Sequence, residues 1–193
     1  MKRRCAAAAL LILCVFLTCG AGLAPERLIV VDADVQRVYF YREGELIRSW
    51  PCAVGKTATP SPLGVFRING KHANWGTGFG TRFLSIDCPW GKYGIHGTNR
   101  PGSIGWNASH GCIRMLNRDI EELYPLVQIG TKVIIERSSF GNLADGLRVL
   151  RPGDRGSDVY ELQLRLRNAG CYWGFPDGVF GEATRRALLC FRK

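Results

Sequence analysis

A mainly β domain followed by a small helical module is the architecture expected of this chain, and three observations lead to it. From Arg27 to Glu136 the apolar residues recur in short alternating runs cut by Gly, Pro, Asn and Ser, as strands and turns require. From Ser157 onward they recur at three- and four-residue spacing, as on one face of a helix. Between the two lies SSFGNLADG, residues 138–146, small and polar enough to be a linker.

The elements follow in order. Lys2, Arg3 and Arg4 precede an uncharged, largely apolar run, residues 5–24, that ends in small side chains; this is the layout of a secretory signal peptide over residues 1–24, with cleavage expected near Ala21 or Gly22. An uncleaved membrane anchor over the same residues is the alternative, since the run approaches the roughly 20 residues a spanning helix needs. Either way the rest of the chain is expected outside the cytoplasm. Residues 25–137 then read as strands: RLIVVD, a hairpin in VQRVYFYREGELIRSW turning at Glu43-Gly44, GVFRI, TRFLSI and TKVIIE. One helix is expected among them, in RDIEELYPLV after Asn117, with Ile120, Leu123 and Leu126 or Val127 facing the sheet. Residues 147–193 form the helical module. Val159, Leu162 and Leu166 make one stripe, with Ser157 as the expected N-cap and Gly170 as the stop; EATRRALLCF is a second amphipathic run.

Composition limits the function. With 193 residues, 46% of them hydrophobic, the chain can bury a core, and its formal charge of +10 favours an anionic partner. The chain has no aromatic RNA-binding motif, zinc-finger spacing or dense Lys/Arg tract, which makes nucleic acid the weakest such partner and leaves wall polymers and membrane surfaces.

Without the leader, five cysteines remain: Cys52, Cys88, Cys112, Cys171 and Cys190. Cys52 with Cys88 and Cys171 with Cys190 are conceivable pairs, and Cys112 is the odd one. It stands in ASHGCIRM, in a chain with only three histidines. A thiol becomes a nucleophile when a base takes its proton, and His96 and His110 are the candidate bases. No acid lies near either, so Asn99 or a backbone carbonyl, such as that of Gly97, would have to orient the ring. A turn at Gly111 could aim N–H groups at an oxyanion. Two other readings stand beside this one: a buried structural cysteine, and a zinc site drawn from His72, His96, His110 and Cys112, whose spacing matches no common zinc signature.

The stretch GIHGTNRPGSIGWNASHGCIRM, with VGKTATPSPLGVFRI upstream, resembles the L,D-transpeptidase catalytic domain family: an HGT motif, a short loop, then SHGC followed by an apolar residue and Arg. The resemblance implies a β sandwich-like domain with a groove and one or two short helices. It implies Cys112 as nucleophile, His96 as general base oriented by the Gly97 carbonyl, and Ser109, His110 and Gly111 in loop or oxyanion support. Arg114 and Asn99 become candidates for substrate binding. No cofactor is implied, metal or organic. The expected partners are peptidoglycan stem peptides and glycan, and the chain is expected to be a monomer. An L,D-carboxypeptidase on the same site and a non-catalytic wall-binding protein are the alternatives. LRPGDRGSDVYELQLRLRNAGCYWG and DGVFGEATRRALLCF resemble a three-helix peptidoglycan-binding domain, whose Asp177, Gly178, Phe180, Gly181 and Thr184 read as fold markers before ligand contacts.

Overall fold

The computed structural model describes residues 26–137 and 149–192. The expected signal peptide or anchor, residues 1–24, and the expected linker, 138–146, lie outside the described residues.

The sheet grows from β1 (Arg27–Asp32), whose alternating Ile29 and Val31 are fully buried. β2 (Arg37–Arg42) pairs antiparallel on one side of it, placing Phe40 opposite Ile29 and Val38 opposite Val31. β10 (Lys132–Glu136) pairs parallel on the other, placing Val133 opposite Ile29 and Ile135 opposite Val31. These six side chains therefore share one face, and each stabilises the fold by about 1.5–3 kcal/mol through burial. The hairpin to β3 (Glu45–Pro51) turns at Glu43 and Gly44, with φ of 52° and 83°, the doubly positive conformation that matches strand twist. β3 is the exposed sheet edge, with an irregular register and charged Glu45 and Arg48 along it, features that discourage pairing with another chain.

β5 (Gly64–Ala73) joins the far side of β10, and β6 (Arg82–Ile86), β7 (Tyr93–His96) and β9 (Ile113–Arg114) complete one eight-stranded sheet, ordered β3-β2-β1-β10-β5-β6-β7-β9. β4 (Val54–Gly55) and β8 (Asn107–Ser109) form a separate parallel pair. The mainly β domain expected from sequence is therefore present, as one long sheet with a minor one. α1 (Asn117–Leu123) packs on it through Ile120 and Leu123, and a 3-10 turn at Tyr124–Leu126 follows where Pro125 interrupts the helix. The Trp50 indole donates to Glu122 Oε2 at 2.8 Å, tying β3 to the same helix.

In the C-terminal module, α2 (Ser157–Asn168) and α3 (Glu182–Phe191) are the two helices among the described residues, against the three expected. Leu166, Tyr172 and Ala187 form its small core. The expected cap is displaced by one position: Gly156 is the N-cap, with φ of 141°, and Ser157 is already helical. Its hydroxyl is used elsewhere, accepting the Leu63 amide at 2.8 Å. Gly170 stands just past the helix end with φ of 74°, as expected of a stop.

Gln163, on the apolar face of α2, is fully buried and holds the following turn together. Its Nε2 donates to Asp177 Oδ1, Val179 O and Thr184 Oγ1 at 2.8–3.0 Å, and its Oε1 accepts the Asp177 and Gly178 amides at 2.9 and 2.8 Å. Asp177, Gly178 and Thr184 thus earn their places in the fold through Gln163. The five described cysteines are free thiols; Cys52 and Cys88 are buried, and the neighbouring Cys190 raises the Cys171 thiol pKa.

Candidate active site

Two strand ends bring the motif residues together. β7 and β9 run parallel, with Ile95 opposite Ile113 and His96 opposite Arg114, so the last residue of β7 meets the segment that begins at Cys112. Gly111 enters that segment at φ of 109°, a conformation that favours glycine, and a Cβ there would meet the Tyr93 ring at 2.6 Å. Ser109, fully buried, closes the loop on itself: its hydroxyl donates to the Cys112 carbonyl at 2.6 Å and accepts the Gly111 amide at 3.0 Å. Its own carbonyl accepts from Lys56 N and Thr59 Oγ1, both at 3.2 Å. The loop that carries the thiol is therefore fixed from both ends.

His96 is 3% exposed, and its Nδ1 lies 2.5 Å from the Gly97 carbonyl. A carbonyl can only accept, so Nδ1 carries the proton and Nε2 is left as the basic nitrogen. Burial pushes the imidazole down to about 4, although the Gly97 and Phe79 carbonyls favour the charged form; Arg114 adds to the depression. Burial also pushes the Cys112 thiol up, against the Gly94 amide and the Arg114 guanidinium, which lower it. The resting pair is a neutral thiol and a neutral imidazole.

Aromatic rings enclose the histidine. Phe83, its register partner on β6, stacks on it with centroids 5.6 Å apart, and Phe79 meets it edge-on at 5.0 Å. Trp75 stacks in turn on Phe83 at 5.9 Å. Beneath, Asn117 at the start of α1 accepts the Thr81 amide at 3.2 Å, and its Oδ1 fills the space that side chains at Gly80 and Gly97 would need. The Gly97 peptide is thereby held where its carbonyl can meet His96.

The other sequence candidates divide. Arg114 acts on both His96 and Cys112 electrostatically, and its Nη1 reaches the Ala108 carbonyl at 3.5 Å. Asn99 is not at the His96 ring; its amide donates to the Thr77 carbonyl, tying the HGT turn to the loop between β5 and β6. His110 is exposed and lines a neighbouring cleft. His72 lies against Trp75 at 3.9 Å, at the outer end of the aromatic row. Among the described residues no three His, Cys, Asp or Glu lie close enough to hold a metal ion, so His72, His96, His110 and Cys112 do not assemble as a ligand set. The Gly111 amide is committed to Ser109, which removes it from the expected oxyanion donors and leaves the Cys112 amide as the candidate.

The family model of the L,D-transpeptidase catalytic domain matches residues 26–135, nearly all of the β domain with both motifs. The chain belongs to the L,D-transpeptidase catalytic domain family. A second model, described as "Putative peptidoglycan binding domain", matches residues 155–191. Among curated relatives, the "Putative L,D-transpeptidase YkuD" of Bacillus licheniformis is 44% identical over 107 residues, covering 55% of this chain and 64% of that one. The protein of the same name from Bacillus subtilis is 41% identical, covering 56% and 65%. The chain thus matches just under two thirds of the length of these relatives. Among solved structures, the Ldtfm-avibactam carbamoyl enzyme is similar with a TM-score of 0.52 and 30% identity, covering 58% of this chain and 49% of that one. The catalytic domain of the Enterococcus faecium L,D-transpeptidase is similar with a TM-score of 0.50 and 28% identity, covering 59% and 99%.

Proposed function

We propose that this L,D-transpeptidase family member acts on peptidoglycan stem tetrapeptides through a Cys112 thioester. The observation that carries the reading is the His96 tautomer: a ring pinned through Nδ1 to the Gly97 carbonyl, with Nε2 left basic, on a strand paired with the one that follows the fixed thiol loop. His96 takes the Cys112 proton as the sulfur attacks the carbonyl between the diamino acid and the terminal D-Ala. The Cys112 amide and the Arg114 charge stabilise the developing oxyanion. The nitrogen of D-Ala takes the proton from His96 and leaves, and a thioester remains. The side-chain amine of a second stem resolves it, giving a 3→3 cross-link and regenerating the thiol.

Water as the resolving nucleophile makes the same site an L,D-carboxypeptidase, and mass spectrometry of the muropeptides separates the two outcomes. Family membership supports the chemistry class, and a structural relative described as a carbamoyl enzyme fits covalent chemistry on this fold. In the same reading residues 1–24 direct the protein out of the cytoplasm. The deciding experiment incubates wild-type and Cys112→Ala protein with tetrapeptide stems. Release of D-Ala by wild type alone, with a trapped acyl-enzyme on Cys112, supports the mechanism; release by the variant refutes it, and a wild type that binds sacculi but releases none leaves a wall-binding protein.

A further inference from the structure

The helical module is docked on the catalytic domain beside the thiol loop. Besides the Ser157–Leu63 hydrogen bond, the Trp90 and Tyr160 rings lie 5.2 Å apart, and the Trp90 indole occupies the space a side chain at Gly178 would need. Next to these contacts lies a cavity of about 310 Å³, walled by Thr59, Pro60, Tyr93 and His110 from the catalytic domain and by Arg155 and Ser157 from the module. That volume is at the small end of the ~300–1,000 Å³ typical of ligand sites.

We propose that this interdomain cleft is a glycan subsite, seating the N-acetylated sugar that bears the stem peptide attacked by Cys112. The inference rests on the transpeptidase reading for the identity of that peptide. Reach is the first argument. His110, on the cleft wall, is two residues from Cys112, so their Cα atoms are at most about 7.6 Å apart. In a tetrapeptide three residues separate the sugar from the scissile carbonyl, and extended they span about 10 Å. A stem with its third residue at the thiol therefore has the length to place its sugar on this wall.

Lining chemistry is the second argument. A pyranose presents C–H faces and a rim of hydroxyls, and the cleft offers the Tyr93 ring and Pro60 for the former. His110 and Ser157 supply polar groups for the latter, and the Thr59 hydroxyl, which donates to Ser109, can still accept; Ser157 Oγ accepts from Leu63, so that bond leaves its own proton to donate. The match to the peptidoglycan-binding model begins at Arg155, on the module's lip of the same cleft. On this view the module supplies one wall of the substrate site itself.

The test compares a tetrapeptide with the same peptide carrying its disaccharide, using the full chain and Ala58→Trp, which introduces an indole from an exposed position on the cleft lining. Wild type should favour the sugar-bearing substrate by about tenfold in kcat/KM, and the preference should vanish in the variant. The ratio of the two substrates cancels any loss of folded protein. Binding of both peptides to Cys112→Ala and to Cys112→Ala/Ala58→Trp, followed by calorimetry, reads the cleft without chemistry. Equal handling of the two peptides by wild type, or a preference that survives Ala58→Trp, overturns the cleft. If neither peptide is cleaved but the Cys112→Ala protein still prefers the sugar-bearing one and Ala58→Trp abolishes that, the cleft stands and the transpeptidase reading falls.

Discussion

His96 and Phe83 face each other across the β6–β7 ladder, their rings 5.6 Å apart and 17° from parallel. The stack removes one face of the imidazole from water, and water loss is the main reason the ring stays neutral. The sulfur is likewise held as a thiol by burial. In the proposed mechanism both groups therefore change charge together as the bond forms, a different starting point from a preformed thiolate–imidazolium pair.

A consequence is that alkylation of Cys112 by iodoacetamide should rise with pH through and beyond pH 8, with no plateau below neutrality. Phe83→Ala should expose the ring and raise the His96 pKa from about 4 toward its ordinary value, as NMR titration would show. An unchanged titration in that variant would refute the enclosing role of Phe83.

Stability carries the same signature with a definite sign. The folded pKa of His96 lies below its unfolded value near 6.5, so the unfolded chain binds more protons between about pH 6.5 and 4. The fold should lose stability through His96 as pH falls across that window, by about 3 kcal/mol once below it, and keep it above pH 6.5. Urea unfolding of wild type and His96→Gln at pH 7 and pH 4 checks this; the variant should lack that component of the loss.

Ser109→Ala removes the hydroxyl that bridges the Gly111 amide and the Cys112 carbonyl inside a buried loop. A cost of about 1–3 kcal/mol is expected from the unsatisfied groups. Because the loop sets the direction of attack, kcat should fall more than KM rises; D-Ala release kinetics and thermal unfolding read the two effects separately.

Gln163→Leu should unfold the module selectively. The substitution keeps the volume but strands the Asp177 amide and the buried Gly178 amide, at a cost of about 2 kcal/mol or more in a unit with a small core. Hydrogen exchange should show protection lost over α2 and α3 and kept over β1, β2 and β10.

Gly178→Ala tests the docking itself. The position has φ of 67°, and its missing side chain is what lets Trp90 approach. The variant should separate the module from the catalytic domain, seen as a larger radius of gyration by small-angle scattering and a shift in tryptophan emission, with thiol alkylation at Cys112 retained.

Much of the site could be read directly from the chain because its parts are local. The turn at Gly111, the thiol and Ser109 lie within four consecutive residues, and the His96 ring is held by the carbonyl of the next residue, so short-range geometry that a motif can encode builds both halves. Alternating and helical spacing likewise placed β1, β2, β3, β5, β6, β10 and α2, since burial repeats with the period of the element. β7, β8 and β9 gave no such signal. They are two to four residues long, too short for a period to show, and exist because β6, β4 and β7 respectively pair with them.

What remained hidden was everything made by closure of the chain on itself. Asn117 reads as an ordinary residue before a helix until Gly80 and Gly97 arrive beside its Oδ1. Gln163 reads as one more polar helical residue until the turn at Asp177 supplies its partners. Ser157 has the composition of a cap, yet Leu63, 94 positions away, claims its hydroxyl. The local sequence determined the thiol loop, the histidine held by its neighbour's carbonyl and the period of most elements, because those depend on neighbours along the chain. Which nitrogen is shielded, which amide is left for the oxyanion and where the module rests were decided by register and burial, which exist only once distant segments have met.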